Sequence, residues 1–306
     1  YEISPGLVGS EMCIRDRMNR LINDSSLWKY KTNCAVPDGH ELPSGIVRMA
    51  AIVTYNGKDY CGFQRQTHSP SVQEELEMAL SFVADHPISV VCAGRTDTGV
   101  HATHQIIHFD TTASRNHSNW IKGVNSKLSD NVALYWISQV SPYFHSRFSA
   151  VERTYRYIIL SKKIKPAFLT NEILWIKKEL SINKMNQACQ YLLGEQDFTT
   201  FRASGCQSNT AFRNVSKAIL VSCGDFVIFE IKANAFLLHM VRNIVAAVLC
   251  VGVGKHEPLW IKAILDGKSR KLCPATASPC GLYLVDVDYP ANFEIPKSSK
   301  GPFFIE

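Results

Sequence analysis

From Ile46 onward Val47, Met49, Ala51 and Val53 alternate with other residues up to Tyr55-Asn56-Gly57, which predicts a strand running into a turn. Ser71-Val72-Gln73-Glu74 has the form of a capping box, in which a hydroxyl and a carboxylate satisfy the first free N–H groups of a helix. Behind it Val72, Leu76, Ala79, Leu80 and Val83 recur at helical spacing, so an amphipathic helix is expected over 71–85. A short apolar run over 88–93 ending at Gly94 reads as a buried strand. It is followed by a strand over 105–110, a helix over 119–128 and a strand over 132–140. The order β, α, β, β, α, β is the split ferredoxin-like arrangement.

The second half has a similar outline. A strand is expected over 153–160 and a helix over 183–193, stopped by Gly194. Strands over 212–222 and 226–233 flank Cys223-Gly224-Asp225, a hairpin signal. A strongly apolar helix over 236–251, a shorter one over 258–265 and a strand over 282–288 complete the chain. The expected class is therefore α+β: two ferredoxin-like (RRM-like) halves with antiparallel or mixed sheets, rather than one doubly wound sheet. The halves are expected at 46–144 and 145–306, with the boundary between Pro142 and Ala150.

Residues 1–45 show little periodicity and read as a loose leader. Residues 7–17, Leu-Val-Gly-Ser-Glu-Met-Cys-Ile-Arg-Asp-Arg, resemble a translated sequencing adapter, so the natural start is expected at Met18. No secretory signal is read around Met18, and the apolar run from Ile244 to Val253 is interrupted by Gly252 and too short for a bilayer. A cytoplasmic protein with no membrane partner is expected. None of the ten cysteines forms a Cys-x-x-Cys pair, and Cys92, Cys189 and Cys250 lie inside apolar runs; buried free thiols are the expectation. A formal charge of +6 permits a polyanionic partner without requiring one.

The chemistry concentrates in Gly94-Arg95-Thr96-Asp97-Thr98-Gly99-Val100-His101-Ala102, which follows a predicted buried strand. Glycines at both ends allow a tight backbone path that can lift Asp97 out of the end of a sheet. A phosphate cradle is excluded because the Gly-Lys-Ser/Thr ending is missing. His101, His104 and His108 would suit a zinc site on one helix face. The alternation after Gln105 favours a strand instead, with His104 and His108 sharing a face and His101 in the loop, so no metal is expected. On spacing alone the loop remains either a turn or an active site.

That stretch resembles the signature of the TruA family of tRNA pseudouridine synthases. The resemblance continues through Tyr55-Asn56-Gly57-x-x-Tyr60-x-Gly62-Phe63-Gln64-Arg65-Gln66, His145-Ser146-Arg147-Phe148-Ser149-Ala150 and Arg153-Thr154-Tyr155-Arg156-Tyr157. Leu193-Gly194-Glu195-x-Asp197-Phe198, Phe201-Arg202, Asn234-Ala235-Phe236-Leu237-Leu238-His239-Met240-Val241-Arg242-Asn243 and Gly281-Leu282-Tyr283-Leu284 follow in order. It covers about residues 46–306.

The resemblance implies an isomerase that converts uridine to pseudouridine at positions 38–40 of the tRNA anticodon stem-loop, without a cofactor. It implies a homodimer that binds tRNA across both subunits, and a central RNA-binding cleft. By position, Asp97 matches the essential aspartate and Tyr155 the tyrosine that stacks on the target uracil. Arg242 matches the basic partner of the aspartate, and Arg95 the residue that replaces the flipped base. Tyr155 and Tyr157 alternate onto one strand face, so either could belong to the core. Arg65, Arg147 and Arg202, with Arg153 and Arg156, are candidates for RNA phosphates. A non-catalytic RNA-binding module and a nucleoside hydrolase are the rival readings; the first has no need of the carboxylate, and the second would gather more of them.

Overall fold

In chain order the elements are β1 (Val47–Tyr55), α1 (Val72–Ala84), β2 (Val91–Cys92), β3 (His101–Thr111), α2 (His117–Asn125), β4 (Val132–Val140) and β5 (Glu152–Ser161). Next come β6 (Leu174–Ile176), α3 (Ile182–Gln190), β7 (Gly194–Asp197), β8 (Phe212–Cys223), β9 (Phe226–Ala233), α4 (Met240–Gly252), α5 (Trp260–Asp266) and β10 (Leu282–Asp288). This computed structural model describes residues 42–299 and 301–305. The adapter-like segment, the expected start at Met18 and most of the leader lie outside the described residues.

All ten strands join one mixed sheet in the order β4-β1-β3-β10-β5-β9-β8-β7, with β2 on β3 and β6 on β5. The last strand is the seam. Leu284 of β10 pairs in parallel with Ala102 of β3 on one side and antiparallel with Tyr155 of β5 on the other. The chain's first and second parts are thus hydrogen-bonded through its C-terminal strand.

Period-two alternation sorts β5 onto two cores. Tyr155, Tyr157 and Ile159 join the main hydrophobic cluster, which runs without a break from Met49 to Val287. Ile158 and Leu160 face the other way, into a smaller cluster with Ile228, Val285 and Ile305. Gly281 is needed at the seam, because a Cβ there would stand 2.6 Å from the Ile158 carbonyl oxygen.

The strand expected over 88–93 is ladder-paired only at Val91 and Cys92. Side chains of α1 take the backbone donors that precede it: Ser81 Oγ accepts from Ile88 N at 2.8 Å and Glu77 Oε1 from Val90 N at 3.0 Å. The helix expected from Phe236 begins four residues later, at Met240, because His239 takes a left-handed conformation, φ 57°. His101, expected in the loop, opens β3. The eight cysteines among the described residues are free thiols. No helix of the described residues is long and apolar enough to cross a membrane.

Candidate active site

The loop between β2 and β3 is clamped on all sides, leaving Asp97 at its tip. Gln105 grips Gly94 at both backbone groups: its Nε2 donates to the Gly94 carbonyl at 2.6 Å, and its Oε1 accepts from Gly94 N at 3.3 Å. Tyr55 Oη and Thr96 Oγ1 are 2.9 Å apart, and Phe63 N donates to the Thr96 carbonyl at 3.1 Å. Val100 N closes a turn on the Asp97 carbonyl at 3.1 Å.

The segment from Tyr55 to Phe63 wraps this turn so closely that no side chain fits at Gly57 or Gly62. A Cβ on Gly57 would stand 2.0 Å from the Val100 carbonyl oxygen, and one on Gly62 2.8 Å from that of Thr96. Gly62 also has φ +98°, a region that favours glycine. His101 locks the far end: its Nδ1 accepts from Gly57 N at 3.1 Å, and its Nε2 reaches the carbonyls of Asn171 and Cys280 at 2.9 and 3.0 Å. Burial lowers the pKa of that imidazole, favouring the neutral ring. His104 instead meets Tyr135, and His108 meets Ser146 at 2.8 Å, so the three histidines serve separate contacts. Among the described residues no group of three or more His, Cys, Asp or Glu side chains could hold a metal ion.

The Asp97 carboxylate is 23% exposed and is approached at a single oxygen. Arg242 Nη1 lies 3.4 Å from Oδ2 and His239 Nε2 lies 3.6 Å from the same atom. Arg242 is aimed by its own Nε, which donates to the Ala277 carbonyl at 2.8 Å. Tyr155, across β10 from the start of β3, stands edge-on to Phe236 with ring centroids 5.1 Å apart. A Cβ on Gly94 would lie 3.6 Å from its hydroxyl. Burial first, and then the nearby charge of Asp97, raises the pKa of Tyr155, so it stays a neutral phenol with an aromatic face. Tyr157, on the same strand face, is fully buried and donates from Oη to the Ser278 carbonyl at 2.6 Å. Both tyrosines are buried, Tyr155 at 8% and Tyr157 at 0% exposure; they differ in their neighbours, Phe236 and Gly94 for the first and Ser278 for the second.

A family model described as tRNA pseudouridine synthase matches residues 51–149 and 188–290, two stretches that carry the Asp97 loop and the Arg242 helix respectively. The chain belongs to the tRNA pseudouridine synthase family. It is 50% identical over 260 residues to tRNA pseudouridine synthase A of Aliivibrio fischeri (strain MJ11), covering 85% of this chain and 99% of the relative. It is 53% identical over 238 residues to the protein of that name from Francisella tularensis subsp. tularensis (strain FSC 198), covering 78% and 92%. The Colwellia psychrerythraea protein of the same name is 50% identical over 259 residues, covering 85% and 100%.

In this member of the tRNA pseudouridine synthase family the remaining sequence-predicted arginines divide sharply. Arg95 is exposed, with no hydrogen bond or ion pair among the described residues. Arg147 is exposed and lies over the Phe148 ring at 5.6 Å. Arg65 pairs with the buried carboxylate of Glu77 at 3.1 Å. Arg153 is a staple rather than an open cation: its guanidinium donates to the carbonyls of Ala93, Arg147, Ala150 and Asn234. Arg156 points to the other face of β5, onto Glu230 at 2.9 Å. Arg202 donates to the carbonyls of Cys206 and Ser208 at 2.8 and 2.7 Å and lines a cavity of about 570 Å³ that reaches His239.

His239 is the neighbour of Asp97 that sequence reasoning passed over. Its surroundings, Leu237-Leu238-His239-Met240, read as continuous helix, and no turn residue marks the left-handed bend that swings the ring toward Asp97.

Proposed function

We propose that the protein converts uridine to pseudouridine at positions 38, 39 and 40 in the anticodon stem-loop of tRNA, with Asp97 as the catalytic carboxylate. The observation that carries this reading is the asymmetry of Asp97. Oδ2 is approached by Arg242 and His239, while no protein donor reaches Oδ1 among the described residues. One carboxylate oxygen is held, the other has no protein donor among the described residues, and the side chain keeps 23% of its surface exposed.

The reaction breaks the ribose C1′–N1 bond of uridine and forms a C1′–C5 bond. The proton leaves C5 and N1 gains one. Between the two events the detached base must turn over without escaping. A carboxylate at the ribose serves as a nucleophile at C1′ or as a base at C2′; both routes need the open oxygen. Tyr155 offers a face on which uracil can rest, and base–aromatic stacking is worth ~1–3 kcal/mol. Extruding the target nucleotide costs a few kcal/mol, and Arg95, exposed on the same loop, is the side chain to fill the space it leaves. Arg147 and Arg202, with the more encumbered Arg65, are the proposed contacts to RNA phosphates.

On this reading the strand orders β4-β1-β3-β2 and β10-β5-β9-β8 are two ferredoxin-like halves, 46–144 and 145–306, with the RNA cleft at their seam. The protein acts as a cytoplasmic homodimer with tRNA across both subunits. The test compares unmodified anticodon stem-loops incubated with the protein and with its Asp97→Asn variant. Pseudouridine is expected with the first, and a rate lower by at least ~10³-fold with the second. Undiminished turnover in the variant would remove Asp97 from catalysis. Binding without product in either would favour a non-catalytic tRNA-binding protein.

A further inference from the structure

The 570 Å³ cavity beside the site has a composition that the Asp97 geometry does not explain. Its walls bring Arg202, Arg270, His239, Cys206 and Thr276 together, and no carboxylate lines it. Neither arginine is in an ion pair among the described residues. Arg202 is held by the Cys206 and Ser208 carbonyls. Arg270 is held by the carbonyls of Cys273 and Pro274, both at 2.9 Å, and by Asn243 Oδ1 and Thr276 Oγ1 at 3.2 and 3.1 Å. These oxygen acceptors are carbonyl, amide and hydroxyl groups, none of them a carboxylate. They fix the two guanidinium groups in place without cancelling their charge.

The thiol of Cys206 reports the same field. Burial would raise its pKa, yet N–H donors from Leu238 and Ser208 and the Arg202 guanidinium outweigh burial and lower it. The cavity therefore favours an anion in the absence of any acidic side chain. It also adjoins the reacting centre, since His239 both lines it and lies 3.6 Å from Asp97 Oδ2.

We propose that this cavity seats a backbone phosphate of the RNA immediately flanking the target nucleotide, with Arg202 and Arg270 supplying the charge. A fixed, unneutralised guanidinium pair suits a phosphate, which it meets through planar, charge-assisted hydrogen bonds. A phosphate gripped there anchors the strand next to the sugar that must present C1′ to Asp97. The proposal deepens the pseudouridine synthase reading and rests on it for the identity of the RNA.

The test is the salt dependence of binding to an unmodified anticodon stem-loop, because each phosphate contact contributes a fixed increment to the slope of log K against log salt. Arg202→Gln is expected to lower the slope by about 1 and to weaken binding about tenfold. Arg202→Lys keeps the charge but loses the two carbonyl bonds, and is expected to retain most of the slope. Lys122→Gln removes an equal charge from the exposed side of α2 and should leave the slope unchanged. An unchanged slope in Arg202→Gln overturns the proposal. So does an equal loss in Lys122→Gln, which would reflect general charge. A loss in Arg202→Lys as large as in Arg202→Gln would assign Arg202 to holding its loop and overturn it as well. If the unaltered protein forms no pseudouridine while the slopes behave as expected, the synthase reading falls and the phosphate seat stands.

Discussion

The two parts of the sheet use the same strand order and depart from ordinary local structure in different places. In the first, the connection between β2 and β3 is the long loop 93–100 that carries Asp97. At the corresponding place in the second, β8 and β9 are joined by the tight turn Gly224-Asp225, where Gly224 supplies φ +55° and no chemistry is built. The contrast reverses at the second helix of each part. Helix α2 has an ordinary cap: Asn116, in extended conformation, accepts from Asn119 N at 2.8 Å. Helix α4 is capped by His239 in the left-handed region without a side-chain cap bond, and its imidazole reaches Asp97 instead. One part lends a carboxylate through an unusual turn, the other lends its partners through an unusual cap, and the proposed site lies where the exceptions meet.

The parts also differ in how they are tied. In the first, Arg48 is 2% exposed and grips Asp110 with both ends of its guanidinium, at 2.7 and 2.8 Å. Its remaining amine donates to the carbonyls of Pro142 and Phe144, both at 2.9 Å, which fastens the segment leading into β5. Arg48→Met would strand the Asp110 carboxylate and the two carbonyl acceptors of Pro142 and Phe144. Urea unfolding is expected to show a loss of about 3–5 kcal/mol. A loss below about 1 kcal/mol would mean that apolar burial alone holds this strand pair.

Tyr155 and Tyr157 offer the same contrast within one strand. Tyr155→Leu removes the stacking face and should slow single-turnover pseudouridine formation by the equivalent of ~1–3 kcal/mol, while Tyr155→Phe should retain most of the rate. Tyr157→Phe removes only the bond to Ser278 and should cost about 1 kcal/mol of stability with turnover intact. Equal turnover in Tyr155→Leu and Tyr157→Phe would remove Tyr155 from contact with the base.

The regular framework was legible wherever alternation ran long enough. Strands β4, β9 and β10 lie where the pattern of Val132–Val140, Phe226–Ala233 and Leu282–Asp288 puts them. Strands β6 and β7, of three and four residues, are too short to show a period. The strand at 88–93 was shortened by side chains of the preceding helix, Ser81 and Glu77, which take the backbone donors of Ile88 and Val90; apolar periodicity carries no sign of such side-chain-to-backbone bonds. Asp97 was legible as a carboxylate between glycines, although only the family resemblance gave a reason to propose a site there over a turn. The arginines could not be sorted from sequence, because the burial of Arg153 and the outward turn of Arg156 depend on strands that pair with β5 from elsewhere.

Glu230 gives the second part its own electrostatic tie, open to pH. Burial would raise its pKa, but Lys217 at 2.7 Å and Arg156 at 2.9 Å outweigh burial and lower it. A carboxylate depressed in the folded state contributes stability above its unfolded pKa and loses it as pH falls through the folded value. Acid unfolding of the protein should therefore steepen below the ordinary glutamate range. Glu230→Gln should flatten that limb by about 1 kcal/mol at neutral pH relative to acid. Identical acid limbs in the two proteins would rule out this tie as a source of acid lability.

The smallest effect expected is the one that bears most directly on the opening contrast. A non-glycine residue held in the left-handed region costs about 1 kcal/mol. At the head of α4 that strain is not offset by a capping bond. Its evident return is the placement of Nε2 near Asp97 Oδ2. His239→Gly separates the two quantities: it relieves the backbone and removes the ring. Thermal unfolding is expected to show a gain of up to about 1 kcal/mol, while the pseudouridine rate falls severalfold with KM little changed, since Arg242 still approaches Oδ2. His239→Asn, which tolerates the same backbone but does not reach the carboxylate, should match the glycine variant in rate and the unaltered protein in stability. If His239→Gly gains stability and keeps its rate, the left-handed cap is merely a feature of the bend and the two helix starts differ for reasons unrelated to Asp97.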